Sequence, residues 1–218
     1  MRVAALIVAA GRGTRAGLGL PKQWRALAGA DATTHAVSAF EHHPAVDKIA
    51  LVLNSEDILN RRWQGDPDVI VVTGGVTRSA SVRAGLEALA DHCDVVLIHD
   101  AARPCVAREV IDGVLAALRT GPAAAPAVPV VDALWHGADG HVSGLTSRDG
   151  LFRAQTPQGF DINIVLAAHL EFADAADDDV ALVLRARHPV KITEGSEDNL
   201  KITLPADFAR AERILKGR

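Results

Sequence analysis

Three observations predict a doubly wound α/β fold with a mostly parallel, Rossmann-like sheet and a protruding β-hairpin arm. Short apolar runs alternate with stretches of helical periodicity along most of the 218 residues. Those runs are nearly continuous in apolar residues, as strands covered on both faces must be. Between residues 129 and 152 the alternation breaks down into glycines and short β-like pieces, which marks a segment leaving the main body.

The elements follow in order. Residues 3–9, all apolar, form the first strand. A helix over 34–42 leads to a strand over 48–53, and a further strand covers 69–73. In the helix predicted over 79–90, Val82, Leu86 and Leu89 share one face. Next come a strand over 95–99, a helix over 107–118 and a short strand over 123–128. Leu134, Trp135, His141 and Val142 flank a turn at Gly137 to Gly140, giving the hairpin arm. Helices over 161–171 and 177–187, a strand over 190–193 and a helix over 206–216 complete the chain. Residues 1–218 are expected to form one domain, with Leu134 and Trp135 on the arm available for a second copy of the chain.

Composition excludes several classes. The formal net charge is -4, so no basic face for nucleic acid is expected. No apolar run approaches the ~20 residues of a membrane span. Cys93 and Cys105 lack metal spacing and a disulfide framework, which fits reduced thiols and a cytoplasmic protein.

Against this background the N-terminus stands out. The first thirty residues carry Arg2, Arg12, Arg15, Lys22 and Arg25 and no acid. Gly11, Gly13 and Gly17 do not fit the G-x-G-x-x-G dinucleotide spacing, and no Gly-Lys-Ser/Thr is present. A strand that ends in a glycine-rich cationic loop nevertheless suits phosphates, because glycine lets backbone N–H groups approach and Arg and Lys neutralise charge. Pro21 is placed to open a helix whose N-terminus, with Lys22, would face that loop. Downstream, Gly74-Gly75 after a strand offers backbone amides to a flat base, and Ser81 offers a hydroxyl. Asp100 ends a strand, where ligands of open α/β sheets bind, and could hold Mg²⁺ or a substrate hydroxyl. His99 is expected to be packed or hydrogen-bonded rather than to act as a base, and Arg103 to shape its loop.

Ala9 to Arg15 with Pro21-Lys22-Gln23 resembles the pyrophosphorylase-type nucleotidyltransferases of sugar and polyol phosphates. The segments Gly74 to Val82, His99 to Pro104, Thr156 to Gln158 and Asp198 to Thr203 follow in an order and spacing similar to the 2-C-methyl-D-erythritol 4-phosphate cytidylyltransferase family. The resemblance implies transfer of CMP from CTP to a polyol phosphate, with release of pyrophosphate and with Mg²⁺ on the CTP oxygens. It implies that Arg15 and Lys22 stabilise the transition state while Arg148 and Lys201 place the attacking phosphate. It further implies nucleotide contacts from Ala9, Ala10, Gly11, Gly13, Gly74, Gly75, Ser81 and Ala101. Asp100, Arg148, Thr156 and Lys201 would hold the acceptor, and Arg148 would reach the site of the other subunit in a homodimer.

The chain departs from this pattern at Val8, at Ala133, which removes a hydroxyl, and at Val76, which replaces an acid near the ribose. The acids Asp177 to Asp179 are expected to start a helix rather than bind metal. Ribitol-5-phosphate cytidylyltransferase remains an alternative, as does a catalytically weak scaffold subunit. Ala102 favours the methylerythritol enzyme, and intact Arg15, Lys22, Asp100 and Lys201 argue against a scaffold.

Overall fold

A computed structural model describes residues 1–11, 20–172 and 178–217. The main sheet contains β1 (Val3–Val8), β4 (Lys48–Leu53), β5 (Ile70–Thr73), β6 (Val95–Asp100), β7 (Ala123–Pro129), β10 (Phe152–Ala154), β11 (Gln158–Asp161) and β12 (Lys191–Glu194). β1 lies between β4 and β6, and β5 pairs the far side of β4, all in parallel. β11 runs antiparallel between β6 and β7, and β12 pairs β7 in parallel. The sheet is therefore mostly parallel, with one reversed row.

Helices cover both faces. Alternate residues of β1 divide between two cores, as a strand's period of two requires. Val3, Ala5 and Ile7 join the core under α1 (Ala32–Glu41) and α4 (Arg108–Leu118), whereas Ala4 and Leu6 join the core under α3 (Arg78–Leu89), α5 (Ile162–Glu171) and α6 (Asp179–Arg185). Phe40 on one side and Phe160 on the other are fully buried. A third, smaller cluster packs α7 (Pro205–Lys216) through Ala211 against Leu27, Cys105 and Ile202.

Three features differ from the expected element list. Ser55–Leu59 forms a short helix, α2, capped by the side chain of Asn54. Ala26–Leu27 and Ala30–Asp31 pair as a small hairpin, β2–β3. The third is the reversed row of β10 and β11. From Ala154 to Gly159 the chain advances five residues while its partner β7 advances three, from Ala127 to Ala124. The Gln155 N–H still bonds the Pro126 carbonyl, and the bulge that follows sets Thr156 beside the end of β6.

The arm is a β-hairpin of β8 (Leu134–Ala138) and β9 (His141–Thr146), closed by Asp139 and Gly140, both at positive φ. Trp135 pairs with Leu145 and Gly137 with Val142, so Trp135, Leu145 and Val142 share one face. Trp135 is 65% exposed and Leu145 77%.

Candidate active site

The sheet register assembles the site. Val8 is opposite both Val52 and Asp100, so the loop after β1 leaves the sheet beside the end of β6. Leu53 is opposite Thr73, which brings the loop after β5 to the same edge. Backbone bonds from Ala9 to Val52, from Ala101 to Val8 and from Gly74 to Leu53 carry the pairing past the strand ends. Between these loops lies a cleft of about 300 Å³.

Ala9, Ala10 and Gly11 line one wall with Lys22 and Gln23. Gln23 is buried, and its Nε2 donates to the carbonyls of Ala9 (3.1 Å) and Gly11 (2.7 Å). This amide fixes the loop's exit from β1. Lys22 donates through Nζ to the carbonyl of Ile202 at 2.6 Å, which joins the N-terminal wall to the segment carrying Lys201. The helix expected after Pro21 is a single 3-10 turn, Lys22–Trp24, because Trp24 turns into the core and the chain then enters the β2–β3 hairpin. So short a turn supplies no helix dipole, and among the described residues the cation at this wall is Lys22. Gly13 and Arg15 lie outside the described residues.

The opposite wall is formed by Gly75, Val76, Thr77, Arg78 and Ser81. A Cβ at Gly74 would stand 2.6 Å from that of Ala10, and one at Gly75 would stand 2.5 Å from that of Ala80. Glycine at 74 lets the two loops approach, and glycine at 75 lets its own loop fold against the first turn of α3. Ser81 accepts from the Gly75 N–H (3.1 Å) and donates to the Thr77 carbonyl (2.9 Å), which sets the loop on α3. Val76 projects fully into solvent at the rim.

Asp100, Ala101 and Lys201 form the floor. The Asp100 carboxylate meets Lys201 Nζ at 2.7 Å, Arg78 Nε at 3.7 Å and Arg103 Nε at 4.0 Å. Burial opposes its ionisation, yet Lys201, Arg78 and Arg103 together pull its pKa down to about 2. Asp100, expected to bind Mg²⁺ or a substrate hydroxyl, is paired in this structure with three protein cations. The carboxylate is bonded to one ammonium and flanked by two guanidiniums, so its charge is balanced by protein cations. Among the described residues no cluster of three or more His, Cys, Asp or Glu could hold a metal.

Behind Asp100, His99 is fully buried and Nε2 faces the Arg103 carbonyl at 3.0 Å, so that nitrogen carries the proton. Nδ1 then accepts from the Thr156 hydroxyl at 2.9 Å, and Thr156 Oγ1 accepts from the Asp100 N–H at 3.2 Å. Burial pushes the His99 pKa down to about 4, so the ring is neutral at pH 7 and holds the strand end, as expected of a residue that is not a base. Thr156 is expected to grip the acceptor phosphate. In this structure it is buried behind the floor with its hydroxyl committed to His99 and Asp100.

Lys201 is held by its neighbours. Asn199 is fully buried and donates to the Thr156 carbonyl at 2.8 Å. Arg103 donates to the carbonyls of Asn199 (2.7 Å) and Ala154 (3.2 Å), which bears out its loop-shaping role. Arg148 lies on the arm, away from the cleft lining, and donates to the Val131 carbonyl.

Two cleft residues, Thr77 and Arg78, escaped the sequence reading. Arg78 begins α3 immediately after its cap, Thr77. A cation in the first turn opposes the helix dipole. Such a residue needs a compensating acid, and this was the signal available.

Residues 3–217 match the family model described as 2-C-methyl-D-erythritol 4-phosphate cytidylyltransferase. The chain belongs to that cytidylyltransferase family. It is 56% identical to the 2-C-methyl-D-erythritol 4-phosphate cytidylyltransferase of Roseobacter denitrificans, over 100% of this chain and 99% of that protein. A crystal structure of 4-diphosphocytidyl-2C-methyl-D-erythritol synthase superposes with a TM-score of 0.86 at 30% identity, covering 98% of each chain. The Thermus thermophilus 2-C-methyl-D-erythritol 4-phosphate cytidylyltransferase gives a TM-score of 0.82 at 30% identity, over 99% of this chain and 100% of that one. Solved structures with cytidylyltransferase and diphosphocytidyl-methylerythritol synthase names thus share the fold over nearly the whole chain. No helix among the described residues is long and apolar enough to cross a membrane.

Proposed function

We propose that this protein transfers CMP from CTP to 2-C-methyl-D-erythritol 4-phosphate. An oxygen of the acceptor phosphate attacks the α-phosphorus of CTP in line. The bond to the β-phosphate breaks, and pyrophosphate leaves with that bond's electrons. The attacking oxygen is already anionic, so the step needs no base, in keeping with a neutral His99.

The observation that carries this reading is the convergence of Gly11, Gly75, Lys22, Asp100 and Lys201 on one cleft in a chain of this family. The glycine loops let the backbone close on the nucleotide, the Gly74 and Gly75 N–H groups themselves being bonded to Leu53 and Ser81. Lys22 and Arg15 stabilise charge as the α-phosphorus becomes five-coordinate, and Asp100 and Lys201 hold the acceptor. Catalysis is then mainly positioning and fixed electrostatics. The Mg²⁺ expected of the reaction is assigned to the nucleotide's own phosphate oxygens rather than to Asp100.

We further assign the arm to a homodimer, in which Arg148 enters the partner's cleft. The apolar face of Trp135, Leu145 and Val142 supports this reading, and Arg148 is not among the residues lining its own cleft. The setting is the cytoplasm, consistent with two free buried cysteines.

The test is pyrophosphate release with CTP, ATP, GTP and UTP, each against 2-C-methyl-D-erythritol 4-phosphate and ribitol 5-phosphate. Release with CTP and the methylerythritol phosphate supports the reading. Preference for ribitol 5-phosphate would replace the acceptor, and release with none of the pairs would leave the scaffold alternative.

A further inference from the structure

Three buried side chains behind the cleft wall, Ser79, His169 and Asp179, form a closed ring with the part-exposed Arg78 of the wall itself. Arg78 donates through Nη2 to Asp179 Oδ2 at 2.8 Å. The other oxygen of Asp179 faces His169 Nε2 at 3.0 Å, and His169 Nδ1 lies 3.4 Å from the Ser79 hydroxyl. Ser79 follows Arg78 in the first turn of α3, so the ring returns to its starting point. Asp179 and His169 are almost completely buried. Asp178 caps α6, which leaves the Asp179 carboxylate free of the capping role expected for this acidic stretch.

We propose that Asp179 and His169 are positioning residues that hold Arg78 at the cleft wall as part of the nucleotide site. This inference rests on the transfer reaction proposed above. Asp179 takes one nitrogen, Nη2, of the guanidinium's forked end, and Nη1 is buried without a hydrogen-bond partner. Arg78 therefore meets Asp100 only through Nε at 3.7 Å, and Asp100 keeps its short bond to Lys201. Without Asp179, the fork is released beside a carboxylate that accepts bidentate guanidinium pairing. Arg78 then closes on Asp100, displaces Lys201 and withdraws its charge from the cleft. His169 fixes Asp179 by donating to the oxygen that Arg78 does not use. The same ring clamps the start of α3, and with it the Gly74–Gly75 loop, against α5 and α6. Asp179 and His169 are held 101 and 90 residues from their α3 partners, so the ring is a tertiary device rather than a local cap.

The experiment combines calorimetry of CTP binding with steady-state kinetics on the full chain. Asp179→Asn and His169→Leu should each weaken CTP binding about tenfold and lower kcat/KM by ten- to a hundredfold. His169→Gln, which keeps a donor toward Asp179, should restore both to within threefold of wild type. In an Arg78→Gln background, Asp179→Asn should add no further loss, because its effect passes through Arg78. Equal losses from Asp179→Asn with and without Arg78 would overturn the proposal, as would unchanged CTP affinity. If Asp179→Asn does not fold, the His169 pair decides, and equal behaviour of the Leu and Gln variants overturns it. Wild type that binds CTP without releasing pyrophosphate would sink the transfer reading alone. Wild type that fails to bind CTP would sink both.

Discussion

Lys201 Nζ lies 2.7 Å from Oδ2 of Asp100, although Asp100 ends β6 and Lys201 sits in the segment before α7. The contact ties the floor of the cleft to the loop anchored by Asn199. Lys201→Met keeps the length of the side chain and removes its charge. It should lower kcat/KM for the acceptor by at least ~100-fold, the scale of losing one oriented donor to a developing charge. Loss of the ammonium also removes the largest force depressing the Asp100 pKa, which should rise from about 2. A variant retaining a third of wild-type kcat/KM would take Lys201 out of the site.

Gln23 anchors the loop by bonding two carbonyls from a buried position. Gln23→Ala leaves both acceptors without this donor, at a cost of about 1–3 kcal/mol. For a chain of this size that corresponds to a fall of roughly 2–12 °C in Tm. The KM for CTP should rise as the loop loosens. Scanning calorimetry showing an unchanged Tm would mean that the amide does not hold the loop.

His99 makes stability depend on pH. Its folded pKa of about 4 lies below the unfolded value of 6.5, so the unfolded chain binds the proton first as pH falls. The stabilisation is complete above pH 6.5 and is lost progressively down to about pH 4, amounting to about 3 kcal/mol. Asp100, depressed from 3.8 to about 2, contributes above pH 3.8 and loses its share only below that window. Urea denaturation of wild type and His99→Asn across both windows checks the assignment. The extra loss in wild type should fall between pH 6.5 and 4, and parallel curves would contradict it.

The exposed pair of Trp135 and Leu145 predicts dimerisation through the arm. Wild type should sediment as a dimer at micromolar concentration and Trp135→Asp as a monomer. Mixing Arg148→Ala with Lys22→Ala should restore roughly a quarter of wild-type activity, because each mixed dimer keeps one intact composite site. No recovery, with subunit exchange confirmed separately, would confine Arg148 to its own chain.

The strands of the parallel core were readable from sequence because each is a nearly unbroken apolar run, as in β1 and β6. The site edge followed, since Gly74, Gly75 and Asp100 stand immediately after or at the end of such runs. β11 was not readable. It is four residues, Gln-Gly-Phe-Asp, and Gly159 is required there because a Cβ would stand 2.5 Å from Val114. α2 was missed because five residues do not complete a helical period that sequence can display, although Asn54 marks its start. The ring of Arg78, Asp179 and His169 was hidden for another reason. Its partners meet only through tertiary packing, and the acid beside them reads locally as a helix cap.

The most direct test of the account is phosphorus NMR of the products formed from CTP and 2-C-methyl-D-erythritol 4-phosphate with purified protein and Mg²⁺. The account predicts equal appearance of pyrophosphate and of a new pair of coupled diphosphate resonances, as the acceptor's phosphomonoester signal disappears. Loss of CTP phosphates to free phosphate, or a phosphomonoester signal that persists while CTP is consumed, would contradict CMP transfer to that acceptor.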